Sequence, residues 1–479
     1  MNLFVVLITL ISTMLAPSVI ASETKTITKI ESKTELKTIS KTATKKPNIV
    51  FILADDHRWD YLSVMGHAFI ETPNIDRIAN EGVLFENAFV TSSLCSPSRA
   101  SFLTGQYPQQ HGVQNNFTVW DNKNVTYFEY LKKAGYNTAF IGKWHMPGGL
   151  PKLRGVDQFI SFEHMGGQGA YYGTPYIVNG KKLKLGESPV ADVKINGYIT
   201  EDLTNFTLKF IENNKEQPFA LYLSHKALHL PMTPPTSVAG RYDNEKVTLP
   251  KEADSWLAFA DGSFKHFLWD PLEEKMKDYA ETAMAMDQQI GLVLDKLDEL
   301  GLSDNTVVVF AGDNGYMWGE HRLIDKRWSY EESMRIPFIV RYPNGIKNPG
   351  RRSQEMLLNL DMAPTFLELA GIEVPAHMQG KSAVSVLADK DETLRDDWLY
   401  KYYEDYPYPV PEQVALRTKR YKLIEYKRGK KNELFDLQAD PLEQTNLIDQ
   451  PNMQDIYQAL KTRLSVMEAE VSQPQAATE

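Results

Sequence analysis

Cysteine is nearly absent from this chain: Cys95 is the only one among 479 residues. A single thiol cannot close an internal disulfide, so the fold must rest on packing. Positive charge is also in short supply. Lys and Arg number 52 against 62 Asp and Glu, a formal net charge of −10, which argues against non-specific nucleic-acid binding. Long apolar runs are confined to the N-terminus. Leu3 to Leu15 carries no charge and is followed by Val19-Ile20-Ala21, the pattern of a secretory signal cleaved after Ala21, although no Lys or Arg precedes it. No later run could cross a bilayer. The expectation is an exported mature chain, periplasmic or secreted, with no transmembrane segment. No cysteine lies near the cleavage site, which excludes a bacterial lipoprotein anchor.

What is present describes a folded protein: 42% of residues are hydrophobic and 24% charged. Residues 22–46 differ from the rest. They are rich in Lys, Thr, Ser and Glu, with Lys at every fourth position from Lys25 to Lys45, and hold too little apolar surface to fold alone. They read as a basic linker. After Pro47, short apolar runs alternate with helical stretches. Asn48–Ala54 (NIVFILA), Asn137–Ile141, Phe219–Leu223, Thr306–Phe310 and Phe338–Arg341 read as buried strands. Tyr127–Ala134, Glu201–Asn213 and Met286–Leu300 read as helices. This alternation predicts an α/β fold with a large, mixed but mostly parallel central sheet flanked by helices. The expected division is a catalytic domain over 47–375 and a smaller C-terminal α+β subdomain over 376–479.

In such sheets ligands bind beyond the carboxyl ends of the strands. Those ends carry Asp55-Asp56, Gly142-Lys143-Trp144-His145, Ser224-His225 with His229, and Asp313-Asn314. Asp55, Asp56, Asp313 and Asn314 form an all-oxygen set suited to a hard divalent cation.

The stretch Cys95-Ser96-Pro97-Ser98-Arg99, continuing to Thr104-Gly105, resembles the C-x-P-x-R signature of the formylglycine-dependent (type I) sulfatases of the alkaline phosphatase superfamily. The resemblance extends from Pro47 to Leu447. It includes Gly142-Lys143-Trp144-His145, Gly312-Asp313-Asn314-Gly315, Asp361–Gly371 (DMAPTFLELAG) and Glu433–Leu447 (ELFDLQADPLEQTNL). It implies an alkaline phosphatase-like fold and a chain that hydrolyses sulfate esters. It also implies that Cys95 is converted to formylglycine (3-oxoalanine) by a formylglycine-generating or sulfatase-maturing enzyme. One hydroxyl of the aldehyde hydrate would attack sulfur and the other would later expel sulfate.

By the same resemblance, Asp55, Asp56, Asp313, Asn314 and the converted Cys95 would hold one divalent cation, calcium or alternatively magnesium. Arg99 would steady the hydrate, and Lys143 and Lys326 would pin sulfate oxygens. His145 would act as base, and His229 would protonate the leaving oxygen. His229 fits the family's H-x-P pattern, whereas His225 does not; His321 is either structural or a substrate contact. The expected partner is a sulfated carbohydrate, either an algal polysaccharide such as ulvan or a glycosaminoglycan oligosaccharide. Tyr402, Tyr403, Tyr406, Tyr408 and Arg417 are candidates either for the pocket mouth or for ordinary packing. Two rivals remain open: a phosphate or phosphonate ester hydrolase of the same superfamily, and a non-catalytic glycan-binding protein.

Overall fold

A computed structural model describes residues 45–148, 153–163, 166–253, 271–390 and 393–473. The expected signal segment and nearly all of the expected linker lie outside them. Strand β1 (Asn48–Ala54) shows why the strands read as continuous apolar runs. Val50, Ile52 and Ala54 enter one core, while Ile49, Phe51 and Leu53 enter another on the opposite face. A strand covered on both sides has no polar face to reveal its alternation.

The same holds for its neighbours β3 (Asn137–Gly142), β7 (Phe219–Ser224) and β8 (Thr306–Gly312). With β4 (Gln158–Ser161) they form a parallel block in the order β8-β1-β7-β3-β4. The sheet grows to ten strands by adding β2 (Gly82–Phe89), β5 (Ile177–Val178), β6 (Lys181–Lys182), β11 (Phe338–Arg341) and β12 (Arg351–Leu358). Strand β11 runs antiparallel between β8 and β2, so the sheet is mixed but mostly parallel, as expected. A two-stranded ribbon, β9 (Met317–Trp318) with β10 (Ile324–Asp325), follows β8.

The longest helix spans Leu272–Glu299, not only the expected Met286–Leu300. Its first half buries Leu272, Met276, Tyr279, Ala280 and Ala283. That stripe has helical spacing, but it is built partly of alanine and tyrosine among charged residues and so has weak periodic contrast. Strand β12 begins Arg-Arg-Ser-Gln-Glu and was not legible as a strand, because it lies at the sheet edge where polar residues are tolerated.

The C-terminal region forms a four-stranded antiparallel sheet, β13 (Asp397–Tyr402), β14 (Gln413–Thr418), β15 (Tyr421–Tyr426) and β16 (Glu433–Asp436). The helix Gln454–Ser472 packs on it, and Trp398, Leu416, Leu423 and Leu464 share a third core with Phe89, Leu94 and Met334 of the main domain. Among the described residues no helix is long and apolar enough to cross a membrane.

Register brings the functional ends level. Leu53 lies opposite Ser224, Ala54 opposite Gly312, and Gly142 opposite Ser224. The close approach at Gly142 demands glycine. Its φ is +119°, and a Cβ there would stand 1.9 Å from the Ser224 carbonyl oxygen.

Candidate active site

Three strands of the parallel block deliver the carboxylates and one lysine to one edge. Asp55 and Asp56 follow β1, Lys143 follows β3, and Asp313 and Asn314 follow β8. Backbone bonds lock these ends together: Asp55 N–H donates to Ala227 O at 2.8 Å, Lys143 N–H to Ser224 O at 2.8 Å, and Asp313 N–H to Ala54 O at 2.9 Å. The helix Cys95–Thr104 points its N-terminus at this edge, and every one of its residues is buried. Cys95 Sγ lies 3.6 Å from Asp55 Oδ1. Ligand atoms of Asp55, Asp56 and Cys95 all fall within 4.8 Å of one another.

The cations interleave with these acids. Lys143 Nζ contacts Asp55 Oδ2, and Lys326, just beyond β10, donates to Asp56 Oδ1 and Oδ2 at 2.6 and 2.5 Å. Arg99 donates from Nε to Asp313 Oδ2 at 2.9 Å and from Nη1 to Lys143 O at 3.1 Å and Ser224 Oγ at 2.5 Å. Its Nη2 lies 2.7 Å from Asp313 and 3.4 Å from Asp55. Arg99 thus braces the carboxylates directly.

Burial alone would raise Asp55, but Lys143, His229, Arg99 and Lys326 hold it well below the usual carboxylate range. Burial raises Asp56 and pushes Asp313 up to about 7, against the pull of Lys326 and Arg99 respectively. Asn314 donates from Nδ2 to Asp56 Oδ1 at 2.7 Å, while its buried Oδ1 has no hydrogen-bond partner among the described residues. An orphan amide oxygen beside three buried carboxylates is the donor set of a hard divalent cation. The residues present fit such an ion.

The thiol of Cys95 is also pushed up by burial, against the pull of Lys143 and Lys326. The site therefore does not favour a thiolate.

Both expected histidines face this centre. His229 Nε2 lies 3.8 Å from Asp56 Oδ2, and its Nδ1 is 2.9 Å from Leu230 O. That contact requires the proton on Nδ1, which leaves Nε2 as an acceptor. Burial, then Lys326 and Lys143, depress its pKa well below normal. His145 is depressed likewise, by burial and by Lys143. Its carbonyl accepts from Ser96 Oγ, tying the histidine to the Cys95 helix. His225 is buried, both ring nitrogens lack partners among the described residues, and burial lowers it to about 3. His321 stacks on Tyr330 at 3.8 Å between centroids and lies 3.8 Å from Glu332.

Several contacting residues carried no local sequence signal. Gln168 Nε2 lies 2.7 Å from His145 Nε2. Tyr171 OH donates to His229 O at 2.8 Å, and Lys226 Nζ to Leu230 O at 3.1 Å. Lys226 was the nearest to legible, since it stands between His225 and His229. Burial, reinforced by Lys143, lowers it to about 8. Arg417 does not line a pocket mouth. It is buried and pairs with Glu331, its Nη2 3.4 Å from Oε2, because β14 turns it toward the main domain. Tyr402 is also buried. Tyr408 does line a cavity of about 470 Å³ that includes His145.

Comparison with known proteins adds to this geometry. A family model described as Sulfatase matches residues 47–372, and one described as N-sulphoglucosamine sulphohydrolase, C-terminal, matches 319–470. The N-acetylglucosamine-6-O-sulfatase of Bacteroides thetaiotaomicron is 32% identical, covering 84% of this chain and 83% of its own. The ulvan-active sulfatase of Formosa agariphila is 31% identical, covering 89% and 82%. A solved structure of a protein bound to its substrate D-glucosamine-2-N,6-O-disulfate superposes with a TM-score of 0.80. It is 29% identical and covers 89% of this chain and 98% of that one.

Proposed function

The chain belongs to the sulfatase family and is a sulfuric ester hydrolase, and from that premise we propose that it desulfates carbohydrates through Cys95 converted to formylglycine. The observation that carries this reading is the position of Cys95. Its Sγ, standing where the oxygens of the converted side chain would lie, shares a volume under 4.8 Å across with Asp55 and Asp56. An aldehyde hydrate there offers one hydroxyl for attack on sulfur and a second to release sulfate. Asp55, Asp56, Asp313 and Asn314 would hold the cation. Calcium is favoured over magnesium because it tolerates irregular arrays of carboxylates. Such an ion supplies a Lewis acid that polarises the ester and compensates the crowded acids.

The chain's own residues do the rest. Lys143 and Lys326 stand beside Asp55 and Asp56 and present ammonium protons to the sulfate oxygens. Arg99 fixes Asp313 and Asp55 in place. His145, held neutral, accepts a proton at the position-95 side. His229 donates the proton that the leaving oxygen needs. It must first gain one at Nε2, and an incoming anion favours that by offsetting the field of Lys326 and Lys143.

Relatives that act on N-acetylglucosamine sulfate and ulvan support a sulfated carbohydrate as substrate. The apolar run Leu3 to Leu15 supports export. A formylglycine-generating or sulfatase-maturing enzyme is the partner required during biosynthesis. Mass spectrometry of the peptide containing residue 95, from a host that carries such an enzyme, should find the aldehyde. An intact thiol there, or faster turnover of aryl phosphate than of aryl sulfate, would count decisively against this function.

A further inference from the structure

The cavity that includes His145 has buried hydrogen-bond acceptors in its wall. Asp405 is fully buried in its wall. One carboxylate oxygen, Oδ2, meets Arg327 Nη2 at 3.3 Å. The other, Oδ1, has no hydrogen-bond partner among the described residues, although the Asn116 N–H lies near enough to ease its charge. Gln168 repeats the pattern: its amide nitrogen meets His145, and its buried Oε1 has no partner among the described residues. Glu163, paired with Lys182, adds a second carboxylate, and among the described residues no Lys or Arg lines this cavity. The rest of the wall is largely apolar, with Trp144 buried and Phe117 60% exposed at the mouth. Gly167 keeps room beside His145, since a Cβ there would come 3.2 Å from His145 Cα.

A buried acceptor without a donor is costly unless a ligand supplies one. Aromatic walls suit the C–H face of a sugar ring. Resting on the carbohydrate reading above, we propose that this cavity is the sugar-recognition site, with Asp405 as its specificity-determining residue. It accepts hydroxyl or N–H donors from an uncharged face of the ring that carries the sulfate.

The test uses the matured full chain and three probes: an aryl sulfate, a sulfated sugar glycoside, and that glycoside lacking one ring hydroxyl at a time. Asp405→Asn should lower kcat/KM on the glycoside by about 10- to 100-fold, the loss expected of a hydrogen bond to a charged group. Turnover of aryl sulfate should stay within about twofold, because it offers this cavity no donor. One deoxy glycoside should lose a similar factor with the unaltered enzyme and nothing further with Asp405→Asn. Equal losses on aryl sulfate and glycoside would overturn the proposal. So would a deoxy series that matches the parent sugar, a result that needs no variant and stands even if Asp405→Asn does not fold. An unaltered enzyme that cleaves aryl sulfate but shows a flat deoxy series refutes the cavity alone. One that cleaves no sulfate ester refutes the catalytic reading itself.

Discussion

Arg99 and Arg395 each grip a buried aspartate, and the settings of the two pairs differ. Arg395 donates to Asp361 through Nη1 and Nη2 at 2.6 and 2.7 Å. Asp361 also accepts from Leu358 N–H and Lys381 N–H, both at 2.7 Å. That carboxylate is saturated and stands away from other acids. Arg99 grips Asp313 as closely, at 2.9 and 2.7 Å. There Asp55 and Asp56 crowd in, burial lifts Asp313 to about 7, and Asn314 Oδ1 is left without a partner. Burial and pairing are therefore common to structure and function. What marks the active edge is three acids crowded together beside an amide oxygen that has no partner among the described residues.

The sharpest break between the two regions should come at Cys95. Cys95→Ala is expected to cut aryl sulfate turnover by on the order of 10⁴-fold or more, with the urea midpoint unchanged. Asp361→Ala should do the reverse. Leaving Arg395 buried and unpaired should cost about 3–5 kcal/mol in urea unfolding, while turnover per folded molecule is preserved. Asp313→Asn tests the claim that the active acids await a cation. Calcium affinity, followed by titration calorimetry, should fall by at least about 10- to 100-fold, and calcium added after chelation should restore turnover to the unaltered chain only.

The smallest effect concerns a third buried carboxylate, Asp287. It caps the helix Pro73–Asn80 by accepting from Asn74 N–H and Ile75 N–H at 3.2 and 2.7 Å, with no arginine beside it. Burial outweighs these bonds and raises it to about 6. A carboxyl raised on folding favours the folded state when protonated, and that contribution fades as pH climbs through the raised value. Between pH 5 and 7 the unaltered chain should lose about 1 kcal/mol of stability relative to Asp287→Asn.

The legibility of these regions follows from how local each one is. The runs at β1 and β8 announced themselves because both faces are buried. Asp55-Asp56, Lys143-Trp144-His145 and Asp313-Asn314 could be located because each directly follows a strand, and Cys95 to Arg99 because they share one helical turn. Their convergence also needed level strand ends, which the register supplies. The first half of the helix Leu272–Glu299 was hidden by small and charged residues in its stripe. Asp405 and Gln168 stood in irregular segments more than 200 residues apart, and only tertiary packing brings both to His145. The sequence left Arg417 open between the pocket mouth and ordinary packing, and only the fold brings Glu331 beside it inside.

The depth at which Cys95 lies has a consequence in time. It is wholly enclosed, at the head of a helix with no exposed residue, so a modifying enzyme can reach it only while the segment is still extended. On the proposed conversion of Cys95, each newly made chain enters a race between conversion and folding, and a chain that folds first is sealed with its thiol. Two populations of the same shape would result, one competent and one inert, and no thermal melt would tell them apart. The specific activity of a preparation would then record a ratio of two rates set during synthesis.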